Sequence, residues 1–318
     1  MSKSPLLLSV EFSAAEKLGS VQDGLDGRPV IDWARGERPE TLAGIKYALV
    51  WEFDDTLFTQ MPDLEVIFSA GAGVDKIMNN PALPPDIPIV RFVDHTLTTR
   101  MSEWVSLQCL MHFRQQRVYD ALQRKRQWEE LPQPQASDVH VGIMGLGVLG
   151  QDAAKKLQSL GFQVSGWSRS KKNIDGLECY DAGELDEFLS KIHYLVGLLP
   201  WTKETTGIFN RSLFEKMAKH SLLPSPILIN GGRGKSQVES DIVACLKDGT
   251  LGGVSLDVFE TEPLDANSPL WEFDNAILTP HIASNSDVIA LGRHVETQIQ
   301  RYENGEGLQH LVDRKAGY

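Results

Sequence analysis

Short apolar runs alternate with amphipathic stretches along the second half of the chain. From about residue 139, runs such as VHVGIMG (139–145) and FQVSGW (162–167) have the length and composition of buried strands. The later apolar runs are HYLVGLLP (193–200), PILING (226–231), GGVSLDVF (252–259) and AILTP (276–280). Helical spacing separates the runs, over residues 148–161, 211–220 and 239–249. Because apolar strands that alternate with helices form parallel sheets covered on both faces, this half predicts a doubly wound α/β domain.

The first hundred or so residues repeat this alternation less clearly. Their apolar runs predict a smaller α/β domain and are PLLLSVEF (5–12), KYALVWEF (46–53), LEVIFSAGAG (64–73) and IPIVRFV (87–93). Residues 97–117 have the spacing of one long helix, and residues 286–303 that of another. A closing helix can pack back on the N-terminal domain. We therefore predict a discontinuous first domain, residues 1–98 with 284–318, and a second domain over 99–283.

Composition and charge narrow the class of protein. The 318 residues are enough for two cores, and 42% hydrophobic with 23% charged residues is a globular balance. The net charge of −12 gives no electrostatic reason to bind nucleic acid or an anionic membrane, so we predict neither partner. Three scattered cysteines without a CxxC pair indicate a reducing compartment. We expect a cytoplasmic protein without a metal site.

The sequence GLGVLG directly follows a predicted strand and begins a helix. It places Gly145, Gly147 and Gly150 in the GxGxxG pattern of dinucleotide-binding loops, with Val148 and Leu149 between them. In that pattern the first glycine permits a tight turn, the second lets the backbone approach a pyrophosphate, and the third lets the helix pack on the strand. The helix N-terminus adds N–H groups for the phosphates. We therefore predict a bound dinucleotide at this loop.

A basic stretch, GWSRSKK (166–172), follows the second strand of this domain. An NAD-binding domain usually has an acidic residue there, which binds the ribose 2′-OH. An aspartate would repel a 2′-phosphate, whereas Ser168 can donate a hydrogen bond to it and Arg169 can pair with it. The sequence therefore predicts NADP(H) in preference to NAD(H), with Lys171 as a further contact. For Lys171 and Lys172 the alternative of a solvated surface charge stays open.

Side chains suited to the reduction of a 2-keto acid follow successive predicted strands. Such a reaction needs a cation for the carboxylate, a proton donor for the carbonyl oxygen and a group that tunes the donor. Arginine matches a carboxylate bidentately, histidine titrates near neutrality, and a nearby carboxylate favours the imidazolium. The chain offers Arg233 in INGGRG, Asp257 and Glu262 in LDVFETEPL, and His281 in TPHIAS. We expect them at the carboxyl ends of the strands, where such sheets bind ligands.

The ordered set of GxGxxG, Arg, Asp with Glu five residues on, and a Pro-His pair resembles the D-isomer-specific 2-hydroxyacid dehydrogenases, over essentially the whole chain. The resemblance implies two Rossmann-like domains, a substrate domain (1–98 with 284–318) and a dinucleotide-binding domain (99–283), with the active site in the cleft between them. It implies that Arg233 binds and polarises the substrate and that His281 is the acid–base residue. It also implies that Glu262 pairs with this histidine and that Asp257 contacts the nicotinamide end of the cofactor. A homodimer formed through the larger domain is implied as well.

The loop SAGAGVD (69–75) resembles the family's carboxylate-binding loop. The resemblance implies that the backbone N–H groups of Ala72 and Gly73 help to hold the substrate acid. Two positions depart from the family pattern. Gly232 stands where many relatives have alanine, which predicts a more mobile loop around Arg233, and Trp201 is bulkier than its usual counterparts. Both departures bear on substrate preference more than on the chemistry.

Further segments narrow the resemblance to one branch of the family, the bacterial glyoxylate/hydroxypyruvate reductases of the A type, which use NADPH. These segments are YALVW, AGAGVD, GWSRS, LLPWTKETTGI, SPLW and VDRKAGY. The resemblance implies reduction of glyoxylate to glycolate and of hydroxypyruvate to D-glycerate, with Leu199 and Pro200 beside the cofactor. Two alternatives stay open: a dehydrogenase for a larger 2-keto acid, and a dinucleotide-sensing protein that uses the fold to recruit partners.

Overall fold

The computed structural model describes residues 3–10, 21–51, 53–224, 226–315 and 317. The chain divides into two compact units, which we call the first unit (Met1–Leu97 with Ser286–Tyr318) and the second unit (Thr98–Asn285). Each unit contains one parallel sheet, which confirms the predicted α/β class. The assignment of substrate binding to one unit and of dinucleotide binding to the other stays a prediction.

The first unit is built on a five-stranded sheet with the order β2-β1-β3-β4-β5, in which every pair is parallel. Its strands are β1 (Leu6–Ser9), β2 (Val30–Asp32), β3 (Tyr47–Val50), β4 (Val66–Ser69) and β5 (Ile89–Val90). Strands β1, β3 and β4 are buried along their whole length, as expected for a parallel sheet covered on both faces. The first predicted strand extended to Glu11 and Phe12, which lie outside the described residues.

The second unit is built on a seven-stranded parallel sheet with the order β12-β11-β10-β9-β6-β7-β8. Its strands are β6 (His140–Met144), β7 (Gln163–Trp167), β8 (Glu178–Tyr180), β9 (Tyr194–Gly197), β10 (Ile227–Asn230), β11 (Gly253–Leu256) and β12 (Ala276–Leu278). The strand order reverses beside β6, which is the switch point where doubly wound sheets bind ligands.

Helices connect the strands in both units. They are α1 (Asp75–Met78), α2 (His95–Phe113), α3 (Gln116–Lys125), α4 (Val148–Ser159), α5 (Leu185–Lys191), α6 (Arg211–Phe214), α7 (Glu239–Asp248) and α8 (Val288–Glu303). Residues 21–24 are helical too. None of the helices in the described part of the chain combines the length and the apolar character needed to cross a membrane.

Two predicted helices differ from the observed ones. The single helix expected over 97–117 is instead α2 followed by α3, because Gln115 takes a left-handed backbone conformation with φ of 52°. The side chain of Gln115 donates to the carbonyl of Pro132 at 2.8 Å, which holds this break. The helix expected over 211–220 ends at Phe214, because the Ala218 N–H donates at 3.0 Å to Ile192 O outside the helix.

A buried ion pair attaches α8 to the first unit. Arg28 Nε donates to Glu296 Oε2 at 2.6 Å, and both side chains are almost fully buried. Burial alone would raise the pKa of Glu296, but hydrogen bonds from Arg28, Lys3 and Gln300 outweigh it and lower the pKa below its usual range. A buried charge without its partner is strongly destabilising, so this contact explains why the C-terminal helix belongs to the first unit.

Candidate active site

The three glycines of GLGVLG have three different environments. Gly145 has a φ of 110°, and a Cβ there would lie 2.4 Å from Leu198 O. A Cβ on Gly150 would lie 1.9 Å from Gly145 O, so the backbones of the turn and of α4 touch. A Cβ on Gly147, by contrast, would have no heavy atom within 4 Å. Two of the glycines are therefore required by internal packing, whereas the middle one adjoins open space.

The N-terminus of α4 lies at that open space. Gly147 is its N-cap residue, so no side chain caps the first turn of the helix. Val148, the first residue of α4, is 54% exposed although it is apolar, and Leu149 after it is half-buried. Uncapped N–H groups at the start of a twelve-residue helix attract an anion. The loop thus has both the room and the donors that a pyrophosphate needs.

The side chains of the basic stretch after β7 differ in burial and in contacts. Ser168 is 8% exposed, and its hydroxyl donates to Ser170 O at 2.8 Å. The Arg169 side chain is exposed. Lys171 forms an ion pair with Glu184, whereas Lys172 Nζ donates at 2.7 Å to Leu146 O inside the glycine loop. The contacts of Ser168, Arg169 and Lys171 with a cofactor stay predictions.

The loop after β9 packs closely on the loop that carries Arg233. A Cβ on Gly232 would lie 2.9 Å from Leu199 O and 3.0 Å from Leu199 N, so this glycine permits the approach of the two backbones. Pro200 is held by a hydrogen bond from Thr205 Oγ1 to its carbonyl at 2.7 Å. The Trp201 ring lies under Lys235 Nζ, 4.3 Å from the ring centroid. The mobility predicted for the Gly232 loop stays a prediction.

Arg233 follows β10 in a loop that Asn230 organises. Asn230 Oδ1 accepts from Gly232 N at 3.0 Å, and its Nδ2 donates to Arg233 O at 3.2 Å. The Arg233 side chain is half-buried, and its Nη1 donates to Gly232 O at 2.9 Å. Asn230 is fully buried, so the backbone of this loop is fixed from inside the sheet. The cation therefore extends from a rigid support at the carboxyl end of β10.

Asp257 forms the turn that carries His281. The carboxylate is 1% exposed, and its Oδ1 accepts from Thr279 Oγ1 at 2.6 Å and from Ile282 N at 2.9 Å. Its Oδ2 accepts from Ala283 N at 2.9 Å. The backbone carbonyl of Asp257 accepts from His281 N at 2.8 Å. Both carboxylate oxygens thus accept hydrogen bonds within the turn. The contact with nicotinamide predicted for Asp257 stays a prediction.

His281 is held in an uncommon backbone conformation. Its φ is 54°, in the left-handed region that few non-glycine residues adopt, and the side chain is 40% exposed. Such strain persists when the surrounding structure enforces it, and here the bonds to Asp257 do so. The turn therefore presents the imidazole to solvent instead of burying it.

Glu262 pairs directly with this imidazole. Its Oε2 lies 2.7 Å from His281 Nδ1, and its Oε1 accepts from Phe259 N at 3.0 Å. Burial would raise the pKa of Glu262, but the hydrogen bond and charge of His281, the Phe259 N–H and the charge of Arg233 together lower it. Glu262 is therefore ionised at neutral pH, and its carboxylate lies directly against the imidazole. The influence of Arg233 on this pKa indicates that all three charged groups share one region.

The loop after β4 contains Ala72 and Gly73. Ser69 Oγ donates to Gly73 O at 2.7 Å, which closes the loop on itself. Ala72 and Gly73 are half-buried. Within the described residues, the N–H groups of Ala72 and Gly73 make no hydrogen bond. Adjacent N–H groups of this kind can bind an anion, which is the role predicted for them from the resemblance. Their contact with a substrate stays a prediction.

Sequence reasoning did not single out Asn230, although it precedes Arg233 in INGGRG and ends a buried strand. The contact of Lys172 with the glycine loop had no signal in the sequence either, since three positions of GWSRSKK carry a cation. In the described part of the chain, no group of three or more His, Cys, Asp or Glu side chains is arranged to hold a metal ion.

Comparisons with known proteins identify the family of this chain. Residues 107–283 match the family model described as D-isomer specific 2-hydroxyacid dehydrogenase, NAD binding domain. The chain is 36% identical over 313 residues to glyoxylate/hydroxypyruvate reductase A of Enterobacter sp. (strain 638), covering 96% of this chain and 97% of that protein.

Two solved structures are similar over nearly the whole chain. The NADPH-dependent glyoxylate/hydroxypyruvate reductase of Sinorhizobium meliloti, in complex with NADP and sulfate, is 54% identical with a TM-score of 0.94, covering 99% of this chain and 100% of that one. A probable 2-hydroxyacid dehydrogenase of Rhizobium etli, in complex with NADP, HEPES and L(+)-tartaric acid, is 53% identical with a TM-score of 0.93 and the same coverage.

The glycine environments predict opposite effects for two substitutions. Gly150→Ala places a Cβ 1.9 Å from Gly145 O, so it should lower the free energy of unfolding by about 1–3 kcal/mol or more, as overpacking does. Gly147→Ala meets open space, so it should leave stability nearly unchanged while it weakens dinucleotide binding. Urea denaturation and fluorescence titration with the dinucleotide measure the two effects. A Gly147→Ala protein that is unstable, or that binds normally, would contradict the assignment of the open space to the ligand.

Proposed function

Because the chain belongs to the D-isomer-specific 2-hydroxyacid dehydrogenase family, we propose that it reduces glyoxylate to glycolate and hydroxypyruvate to D-glycerate with NADPH. The observation that carries the proposal is the 2.7 Å contact between Glu262 and His281, on a turn that leaves the imidazole exposed. Family membership supplies the type of reaction, and this pair supplies a proton donor of the required kind.

The residues of the second unit fit a dinucleotide. The open space at Gly147 and the uncapped N-terminus of α4 suit the pyrophosphate, and the exposed Arg169 suits a 2′-phosphate. We assign Gly145, Gly147, Val148, Leu149 and Gly150 to the pyrophosphate side of this site. Ser168, Arg169 and Lys171 belong to its 2′-phosphate side, and Leu199, Pro200 and Asp257 complete it. The bound NADPH supplies the hydride that reduces the carbonyl carbon.

His281 supplies the proton. Its Nδ1 is engaged by Glu262, so Nε2 is the ring nitrogen that faces the carbonyl oxygen of the substrate. As the carbonyl carbon is reduced, the oxygen takes the Nε2 proton, and the hydroxy acid forms. The neutral imidazole keeps the proton on Nδ1, which is hydrogen-bonded to Glu262, and regains the Nε2 proton from solvent. The carboxylate of Glu262 thus holds the orientation of the imidazole before each turnover.

Arg233 binds the carboxylate of the substrate and draws electron density toward the carbonyl oxygen. The fixed Asn230 loop supports this role, because a preorganised cation needs no rearrangement as negative charge develops. The N–H groups of Ala72 and Gly73 bind carboxylate oxygens as further donors. Arg233 therefore contributes both to substrate binding and to stabilisation of the transition state.

We also propose that the protein is a cytoplasmic homodimer. Within residues 107–128 of the second unit three apolar side chains are exposed: Leu107 by 54%, Val118 by 40% and Trp128 by 98%. An indole that is almost fully exposed favours burial against a partner. Cys109, Cys179 and Cys245 are free thiols, which suits a reducing compartment.

Removal of either charged group should abolish most of the activity. Arg233→Ala should lower kcat/KM for glyoxylate by about two orders of magnitude, which is close to 3 kcal/mol of transition-state stabilisation. His281→Gln should lower kcat at least as much, without loss of NADPH binding. Steady-state NADPH oxidation measures both, and His310→Gln serves as a control histidine outside the site. Near-normal kcat/KM in both site variants would refute the assignment.

The basic stretch after β7 should set the preference between the two cofactors. Arg169→Ala combined with Ser168→Asp should remove about 2 kcal/mol of binding to the 2′-phosphate, shifting the NADPH:NADH ratio of kcat/KM by more than tenfold toward NADH. Turnover with glyoxylate should persist. Lys171→Ala, tested alone, should shift the ratio less, because Lys171 is paired with Glu184. An unchanged ratio in the double variant would show that these residues do not select the cofactor.

Trp128 should be a principal contact of the dimer. Trp128→Ser should weaken association by about 2 kcal/mol, roughly thirtyfold in dissociation constant, as for other buried interface aromatics. Sedimentation equilibrium measures this change. Trp271→Ser is the matched control, because Trp271 is another exposed indole, at 55%, and its Nε1 donates to Asp265 O at 2.9 Å within the loop between β11 and β12. A monomeric wild-type protein, or an equal effect of both variants, would refute the proposed interface.

A further inference from the structure

We propose that Gln237 is a positioning residue, whose buried amide fixes the loop of Arg233 relative to the loop of Glu262. The inference rests on the proposed function, since it concerns how two groups of that site are held in register. Gln237 touches neither charged group directly. It acts through the amide of Asn230 on one side and through the backbone of Val258 on the other.

The link toward Arg233 is a chain of buried hydrogen bonds. Asn230 is fully buried and Gln237 is 2% exposed. Asn230 Nδ2 donates to Gln237 Oε1 at 2.8 Å and to Arg233 O at 3.2 Å, while its Oδ1 accepts from Gly232 N at 3.0 Å. Both N–H groups of the Asn230 amide are therefore used. Gln237 sets the plane of this amide, and the amide holds the Arg233 backbone.

The link toward Glu262 runs through the loop after β11. Gln237 Nε2 donates to Val258 O at 3.0 Å. The next residue, Phe259, donates its N–H to Glu262 Oε1 at 3.0 Å, and Glu262 Oε2 contacts His281 Nδ1 at 2.7 Å. Gln237 therefore bonds to Asn230, which holds the Arg233 loop, and to Val258, which precedes the residue that holds Glu262. A shift of either loop would have to break the hydrogen bond of Gln237 with Asn230 or the one with Val258.

The same loops are also joined at the surface. Glu239 N donates to Glu260 Oε1 at 2.7 Å, and Glu260 N donates to Glu239 Oε1 at 2.6 Å. Glu239 Oε1 also lies 3.5 Å from Gln237 Nε2, but both reciprocal bonds can form without that amide, so the loops should stay together when it is removed. Loss of the amide should therefore leave the fold in place and change the spacing of the charged groups.

The test is Gln237→Met, which keeps the length of the side chain and removes the hydrogen bonds of the amide with Asn230, Val258 and Glu239. A misplacement of 1 Å can cost a hundredfold in rate, so a smaller shift should lower kcat/KM for glyoxylate roughly tenfold, mainly through a higher KM. The dissociation constant for NADPH should stay within about twofold, since the glycine loop lies outside this hydrogen-bond chain. Wild-type activity is measured first, because its absence would refute the proposed function and not this inference.

Gln108→Met is the matched control. Gln108 is also a buried glutamine of the second unit, at 3% exposure, and its Oε1 accepts from Ser255 Oγ at 3.0 Å. It therefore shares the burial and the chemistry of Gln237 without the link to either loop. The proposal expects both variants to lose stability and the Gln237 variant alone to raise KM. Equal kinetic effects, or none, would overturn it.

Gln237→Glu gives a second test if the methionine variant does not fold. A neutral carboxyl group can accept from Asn230 and donate to Val258 O, whereas a carboxylate can make the first bond alone. Glu239 Oε1 lies 3.5 Å from Gln237 Nε2, so a second carboxylate there is further disfavoured. The ratio of this variant's KM to the wild-type KM at the same pH should approach one at low pH and increase as pH rises. A ratio that does not change with pH would contradict the positioning role.

Discussion

The turn that carries His281 depends on one buried carboxylate. Asp257 is 1% exposed, and burial of an ionised group costs several kcal/mol unless hydrogen bonds replace the water. Thr279, Ile282 and Ala283 donate those bonds, so the chain can satisfy Asp257 only by turning tightly around it. That turn forces His281 into a left-handed conformation and leaves its ring exposed beside Glu262. The hydrogen bonds that Asp257 requires therefore determine where the His281 imidazole lies.

Most of the fold was accessible from the sequence, and the exceptions have local causes. Long apolar runs predicted the central strands correctly, since a strand buried on both faces needs apolar residues throughout. The strands β2 and β8 were missed, because their sequences, VID and ECY, each contain an acidic residue and form no apolar run. The break at Gln115 was missed because it depends on a bond to Pro132, which apolar spacing does not encode.

In the candidate site, too, some residues could be predicted from the sequence and others could not. Arg233, Glu262 and His281 were identified because their chemistry and order are distinctive, and the structure brings Glu262 and His281 into contact. The supporting groups, Asn230 and Gln237, were not identified, since a buried amide is recognised by its partners and those partners come from different loops. The need for glycine at position 232 could not be predicted, because it comes from the backbone of Leu199, which belongs to another loop.

The central claim is that these groups reduce a small 2-keto acid with NADPH. It is tested most directly by the absorbance of NADPH and NADH during turnover of glyoxylate, hydroxypyruvate and phenylpyruvate by the wild-type protein. The account predicts the highest kcat/KM for glyoxylate or hydroxypyruvate with NADPH. A clear preference for phenylpyruvate would instead indicate a dehydrogenase of larger 2-keto acids. Tight binding of NADPH without oxidation by any of the three acids would contradict the account and favour a dinucleotide-sensing protein.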